Sequence, residues 1–469
     1  MDALRDALRQ YRRVLLQLPT GGGKTAIASY LAQQTVANGR RFMFICHRAE
    51  LVEQTHKTWE KYGIPHGFVA AGRPSSLSAA SIASVDTLKN RLAMLPEPDV
   101  CVWDECHHLG AAGWQLVMDH WQRCRHVGLT ATPWRLDGTG LGRQFDHMVR
   151  GPSVSWLMER GFLSAYEVFA PNPPDMKGAR RQRDGEFSKR EASARMDMPK
   201  RTGDIVAHWR KYADGMRTVA FAVNRDDSRL LVQRFNDNGI PAAHLDGDTE
   251  RGERKRIIQQ YARGELFILS NVGLFGEGFD LSAIAQTDVT IDCLIDAAAS
   301  NSLAAVMQRW GRVLRPKSYP AIILDHAGNT NRHGFPDDER EWTLADRERS
   351  GNGASKSDGP PPPYTCTCFR QIRRPLPPSC PHCGKSLERE AAPIEEAEGE
   401  LKRLTAEEKE SRRARMRREE AAAVTLHDLI RLANDRGYAN PTGWALKKFQ
   451  SSSWRKQYAA SAINARESA

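Results

Sequence analysis

Three groups of residues in this chain have types and spacings that can do chemistry. The first is Leu18-Pro19-Thr20-Gly21-Gly22-Gly23-Lys24-Thr25. Glycines let backbone N–H groups come close to an anion, and a helix opening at Lys24 would add its positive end. Lys24 would reach the outer phosphates of a nucleotide and Thr25 would ligate Mg²⁺, with Thr20 to Gly23 forming the cradle. The strict pattern asks for glycine where Leu18 stands. The second group is Val100-Cys-Val-Trp-Asp104-Glu105-Cys106-His107, an apolar run ending in two carboxylates. In a parallel α/β sheet such a strand end lies beside the phosphate loop. Asp104 would hold Mg²⁺ and Glu105 would orient and deprotonate a water. His107 and His108 read as hydrogen-bonding residues that couple the two lobes, with metal ligation as the alternative. The third group is Cys366-Thr-Cys368 and Cys380-Pro-His382-Cys383-Gly384, with eleven residues between the pairs. Four thiolates in knuckle turns give a closed tetrahedral Zn²⁺ site. Its first pair is one residue short of the usual Cys-x₂-Cys; His382 could replace a ligand, and a free-thiol loop or redox pair is the alternative reading.

The elements that must position these groups follow from hydropathy. Val14–Leu18, Arg41–Cys46, Val100–Trp103, Thr218–Val223, Leu266–Leu269 and Ala321–Leu324 are near-continuous apolar runs, as strands buried on both faces require. Helical patterns separate most of them, which predicts an α/β fold with parallel sheets. The alternation breaks over Pro171–Arg201, rich in Pro, Gly, Arg and Asp, and again from Asp346 through a Gly/Ser stretch to the prolines 360–363. The expected plan is a first lobe over 1–165, a connection over 166–203 and a second lobe over 204–345. A flexible linker over 346–363, a zinc ribbon over 364–388, a charged helix over 389–422 and a small helical tail over 423–469 would follow. Arg180-Arg-Gln-Arg183 and the run Arg412–Arg418 read as solvated faces that could also meet phosphates. Trp444, Phe449 and Trp454 read as the core of the tail rather than as base-stacking groups.

With 469 residues the chain can hold two or three domains, and its net charge of +11 suits a polyanionic partner. No run is long and apolar enough to cross a bilayer, and the first residues lack the plan of a secretion signal. Five of the nine cysteines are scattered, as expected of reduced thiols, so a cytoplasmic protein is expected.

Further blocks appear in order, and together they resemble a superfamily-two helicase of the DEAD/DEAH type with an Asp-Glu-Cys-His box. They are Phe44-Ile-Cys-His47-Arg48 running on to Thr55, Ala83-Ser-Val-Asp-Thr87-Leu88, Thr130-Ala-Thr132-Pro133, and Val219–Val223 with His244–Thr249. Ser270-Asn271 running on to Gly278-Phe-Asp280 and Gln308-Arg-Trp-Gly311-Arg312-Val-Leu-Arg315 complete the set. The resemblance covers roughly Val14 to Asp325. It implies two tandem RecA-like lobes, here with a C-terminal zinc ribbon and helical tail, and ATP and Mg²⁺ in the cleft between the lobes. It further implies a nucleic-acid strand held by His47, Arg48, Thr87, Thr130, Thr132 and Asn271, with Gly278 and Asp280 completing the ATP site. Gln308, Arg312 and Arg315 resemble the family's finger block, whose guanidinium groups stabilise charge on the transferred phosphoryl group when the cleft closes. Such proteins usually carry an adenine-reading glutamine upstream of the loop. Here 23 residues precede Lys24, and Gln10 and Gln17 stand too close to the strand to serve, so the base is expected to be read loosely or by residues upstream of this sequence. Asp325-His-Ala-Gly-Asn329 with Arg332-His-Gly334 and the cysteine cluster resemble the RadD-like DNA-repair helicases of bacteria and phages. That implies DNA-stimulated ATP hydrolysis and repair or replication partners met through the C-terminal region. An RNA helicase, a motor subunit of a restriction complex and a nucleotide-gated binding module without turnover are the rival readings.

Overall fold

The computed structural model describes residues 1–108, 112–135, 138–171, 174–182, 185–196, 198–275, 281–346 and 362–387. It also describes 414–449 apart from 417, 421, 424, 437 and 439. Residues 1–388 form one compact unit and 389–469 a second. Each apolar run named above becomes a strand, shifted by at most two residues at its ends. The first lobe is a seven-stranded parallel sheet. Its strands are β1 (Arg13–Gln17), β2 (Phe42–Cys46), β3 (His66–Val69), β4 (Ala80–Ser84), β5 (Val100–Asp104), β6 (Arg125–Thr130) and β7 (His147–Arg150), in the order β3-β4-β2-β5-β6-β1-β7. Helices bury both faces, so both sides of each central strand must be apolar. On one face Leu4, Ala28 and Trp59 come from helices Asp2–Gln10, Lys24–Ala37 and Ala49–Lys61. On the other face Trp114, Val117 and Met118 come from Ala112–His120.

The second lobe is a six-stranded parallel sheet of β8 (Tyr166–Phe169), β9 (Thr218–Ala222), β10 (Ala242–Leu245), β11 (Ile268–Asn271), β12 (Cys293–Ala297) and β13 (Ala321–Asp325). The order is β10-β11-β9-β12-β13-β8. The segment 166–203, expected as a connection, belongs to this lobe. Its first residues are the edge strand β8, paired with β13. Behind it, Met176, Phe187, Ala192 and Met196 enter the same core as Phe169 and Ala220. These apolar residues are spaced too irregularly among arginines and prolines to register as a period.

The far end of the second lobe also departs from the expected plan. After helix Asn329–His333, residues 335–346 leave that lobe and return as a strap to the first. Gly142 N–H donates to Leu344 O at 2.8 Å, Trp134 Nε1 donates to Ala345 O at 3.2 Å, and the Trp134 and Trp342 rings stand 4.9 Å apart. A Cβ on Gly140 would lie 2.2 Å from Leu344 O, so glycine is what lets the strap lie down there.

The cysteine segment carries a short hairpin, β14 (Tyr364–Thr365) with β15 (Gln371–Ile372). It is docked on β8: Ala170 N–H donates to Phe369 O at 3.0 Å, and Arg370 pairs with Glu167 at 3.3 Å. Arg373 grips Asp337 and Asp338 at the root of the strap. The sheet edge left open at β8 is thereby covered. Residues 347–361, expected as linker, and 389–413, expected as part of the charged helix, lie outside the described residues.

In the second unit, helices Leu426–Asp435 and Pro441–Phe449 form a pair, the first opened by a capping box of Thr425 and Asp428. Trp444 and Phe449 pack against Leu429 and Ala445, as expected of core aromatics; Trp454 lies outside the described residues. Arg415 pairs with Glu419 at 3.0 Å on an exposed helix face. Among the described residues no helix is long and apolar enough to cross a membrane.

Candidate active site and nucleic-acid groove

β1 ends at Gln17 and the chain turns through Gly21 and Gly23, both in left-handed backbone conformation (φ 83° and 84°), before helix Lys24–Ala37 begins. Only glycine takes that shape without strain, and it leaves the first-turn N–H groups facing outward with no intrahelical acceptor. β5 delivers Asp104 and Glu105 to the same edge of the sheet. Lys24 Nζ lies 3.4 Å from Glu105 Oε1, so the phosphate loop and the acidic pair form one site. Glu105 itself sits at φ 48°, a costly conformation for a side chain with a Cβ, which aims its carboxylate into the site. Its Oε2 is buried and makes no hydrogen bond. Burial, and after it the charge of Glu105, push the Asp104 carboxyl up to about 7, against the pull of Lys24.

These observations fit a nucleotide and a divalent cation. Two adjoining buried carboxylates share one ammonium, and a second positive charge would relieve the repulsion that raises Asp104. Asp104 and Thr25 are the residues that would hold Mg²⁺, and the loop from Thr20 to Thr25 would hold the phosphates. Bound there, Mg²⁺ and ATP supply charge neutralisation and the phosphoryl group itself. Glu105 Oε2 is the remaining acceptor, placed to take a proton from water.

Three contacts extend the site. His107 Nδ1 stands 3.5 Å from Glu105 Oε2 and 3.1 Å from Thr130 Oγ1, and Thr130 Oγ1 donates to Thr132 O at 2.9 Å. This ties the acidic box to the Thr130–Pro133 block. From the second lobe, helix Leu303–Gly311 leans on the phosphate loop: a Cβ on Gly311 would come within 2.4 Å of the Thr20 side chain. Gln308 lies buried in that helix, and Arg312 follows Gly311 directly, with Arg315 one turn on, both half-buried. Gly311, within the block expected to carry the fingers, thus stands at the phosphate loop.

A groove of 680 Å³ opens between the lobes. The first lobe lines it with His47, Lys57, Arg73 and Thr87, and the second with Arg251, Arg254, Lys255 and Gln286. Glu50, Glu53 and Asp86 also line it, so cations outnumber acids five to three. Such a groove is suited to a phosphate backbone.

Comparison with known proteins agrees with this geometry. Residues 1–135 match the family model described as Type III restriction enzyme, res subunit, and residues 201–317 match Helicase conserved C-terminal domain. A 51.5 kDa protein of Lactococcus phage (isolate 7-9) is 30% identical over 331 residues, 70% of this chain and 68% of the phage protein. The chain belongs to the superfamily-two helicases. Putative ATP-dependent helicase IRC3 of Saccharomyces cerevisiae is 28% identical to it over 345 residues, covering 67% of this helicase but only 48% of the yeast protein. This helicase therefore spans about half the length of that relative. The fold also matches the ATP-dependent Type ISP restriction-modification enzyme LlaBIII bound to DNA, with a TM-score of 0.51 at 15% identity. That match covers 69% of the helicase and 27% of the enzyme.

Not every residue expected on the nucleic acid lines the groove. Asn271 is fully buried; its amide donates to Ala220 O at 2.9 Å and its carbonyl accepts from Phe275 N–H, so it holds β9 and the following loop together. Thr130 is equally buried, and its hydroxyl serves His107 and Thr132. Thr132 lines a different cavity, behind the phosphate loop with Thr20 and Met307. Arg48 is the N-cap of helix Ala49–Lys61 and half-buried. His47 and Thr87 do line the groove, and Ser84 Oγ donates to Thr87 Oγ1 at 2.9 Å. Gly278 and Asp280 lie outside the described residues. Gln17 gives its amide to Ala131 O at 2.9 Å, which leaves it a structural residue. Sequence reading missed Arg251 and Lys255, on helix Arg251–Arg263, and Gln286, which follows helix Leu281–Ala285; none carries a motif, and each reaches the groove only through the packing of the second lobe. It also missed the buried pair of Arg309 with Asp296, 3.0 Å apart.

At the ribbon, Cys366 and Cys383 sulfurs are 3.7 Å apart, as are those of Cys368 and Cys380, and all four lie within 4.8 Å of one another. A tetrahedral Zn–S site with bonds of about 2.3 Å puts its sulfurs roughly 3.8 Å apart, whereas a disulfide would bring them to about 2 Å. The four residues fit zinc. A second cluster, Cys101, Cys124 and His126, does not fit a metal. Both His126 nitrogens are engaged, one by Trp103 Nε1 at 3.1 Å and one by Trp121 O at 2.8 Å, which leaves no lone pair for an ion.

Proposed function

We propose that this chain is a DNA-stimulated ATPase that moves along or opens DNA during repair, recombination or replication. The observation that carries the reading is the close approach of Gly311 in one lobe to Thr20 of the phosphate loop in the other, while a basic groove crosses both lobes; it supports Arg312 and Arg315 as the fingers. Closing on ATP and loosening after hydrolysis would change the spacing of the two groove walls, and that change moves a strand. Asp104 and Thr25 hold Mg²⁺, Glu105 activates water, and Arg312 and Arg315 stabilise the developing charge. His47 and Thr87 contact the strand, and Cys366, Cys368, Cys380 and Cys383 hold a structural Zn²⁺. The C-terminal region is the expected meeting point for repair or replication proteins.

The deciding experiment measures ATP hydrolysis by the purified chain alone and with single-stranded, duplex or forked DNA or with RNA. Stimulation by DNA and not RNA is expected. Equal or greater stimulation by RNA would replace DNA as the substrate, and tight nucleotide binding with no hydrolysis on any polymer would make the chain a binding module. The match of residues 1–135 to the family described as Type III restriction enzyme, res subunit, favours a second reading, the motor of a restriction complex. Co-purification of a methyltransferase or nuclease from the native host would support it.

A further inference from the structure

Between the catalytic carboxylate and the groove runs a line of three imidazoles. Cys106–His108 is a single tight turn entered directly from the left-handed Glu105, and His108 N–H donates to Glu105 O at 3.1 Å. His107 faces the carboxylate, with Nδ1 3.5 Å from Glu105 Oε2. The centroid of its ring lies 4.3 Å from that of His108, and the His108 ring lies 4.6 Å from that of His47. His47 is on the groove wall. Trp114 closes the far side of this row, 6.1 Å from His108 and 6.2 Å from His47, and is backed by Trp103 at 5.6 Å. Trp103 and Trp114 are both buried in the core of the first lobe. Rings packed this closely against a fixed wall cannot shift one at a time, because an interior at crystal-like density transmits a displacement instead of absorbing it.

We propose that His108 is a positioning residue that couples occupation of the groove to the placement of Glu105. A strand bound in the groove presses on His47, and His108 passes the shift to His107. His107 Nδ1 then sets where Glu105 Oε2 meets the attacking water. The Thr130–Thr132 link meets His107 at that same nitrogen, Nδ1, whereas His108 meets it ring to ring. The inference rests on the groove being the nucleic-acid face, as proposed above.

The test compares the parent chain with His108→Ala and His108→Phe. Hydrolysis is measured with and without single-stranded DNA, and DNA affinity by fluorescence anisotropy with and without a non-hydrolysable ATP analogue. In His108→Ala, basal hydrolysis and nucleotide-free DNA affinity should stay within about twofold of the parent while stimulation by DNA falls by about tenfold or more. The shift in DNA affinity caused by the analogue should shrink as well, since coupling between two binding sites is reciprocal. His108→Phe keeps a ring of similar size against Trp114 and should restore most of the stimulation. Unchanged stimulation in His108→Ala would overturn the proposal. So would a parallel fall in basal and stimulated rates with their ratio kept, or failure of both variants to differ from each other. A parent chain that no nucleic acid stimulates would instead defeat the reading of the groove itself.

Discussion

At the residue scale, Lys24 and Glu105 divide the work. Lys24→Ala removes the ammonium that stands 3.4 Å from Glu105 and should lower the rate of ATP hydrolysis by about 10²-fold or more, read as phosphate release. Glu105→Gln keeps the shape of the site but takes away the acceptor for the water proton. It should stop turnover while leaving nucleotide-dependent DNA binding measurable by anisotropy; normal turnover in either variant would remove the assigned mechanism. Gly311→Ala is a sharper test of the lobe contact. The added methyl would meet the short, branched Thr20 side chain at 2.4 Å, which cannot swing aside as a long flexible one could. Hydrolysis should fall by about tenfold or more, with far-ultraviolet circular dichroism unchanged, because the closed arrangement alone is strained. The residues of this centre were legible in the sequence because phosphate chemistry fixes their types and spacing. The groove residues Arg251 and Lys255 were not, since any exposed helix of a basic protein carries similar side chains, and Gln286 stands in a turn with no motif around it. Asn271 misled for the opposite reason: its motif position is right, but its amide is spent on Ala220 and Phe275.

At the element scale, the apolar strands β1, β2, β5, β9, β11 and β13 announced themselves. β4 did not, because Ala-Ser-Ile-Ala-Ser is nearly all small residues, nor did β12, whose Asp296 is a charge inside a fully buried strand. That carboxylate is tolerated because Arg309, Trp310 Nε1 and Asn329 Nδ2 all reach it, a network no local window contains. β8 was hidden by its place at the edge, outside the apolar centre of the sheet. Among the described residues its cover, the cysteine hairpin, buries Cys366, Ile372, Cys380 and Leu387 as core, and a core that small is expected to need a metal to fold. The purified chain should contain one zinc per molecule by atomic absorption. A strong chelator should release it and, by uncovering β8, raise light scattering as edges pair between molecules. Metal-free protein that scatters no more light after chelation would refute the zinc ribbon.

At the scale of the whole molecule, the groove is an assembly property, since its cations come from both lobes. The affinity for single-stranded DNA should fall steeply with salt, and the double variant Arg251→Ala, Lys255→Ala should make the slope of log affinity against log salt shallower by about 1.4, two phosphates' worth. An unchanged slope would place the strand elsewhere. The two-lobe plan and the order of motifs were readable in advance, but the path of the chain between lobes was not. A strap is held mostly through backbone groups and a few rings, as Gly142 with Leu344 and Trp134 with Trp342 illustrate, and such contacts leave no periodic trace. The strap has a consequence for dissection of the protein into pieces. A fragment ending at residue 165, where sequence alone would cut, lacks Trp342 and Leu344 and leaves their seats on the first lobe bare. A peptide spanning residues 335–346 added back in trans should bind that fragment and raise its melting temperature, making the first lobe a protein whose last piece is encoded after the second.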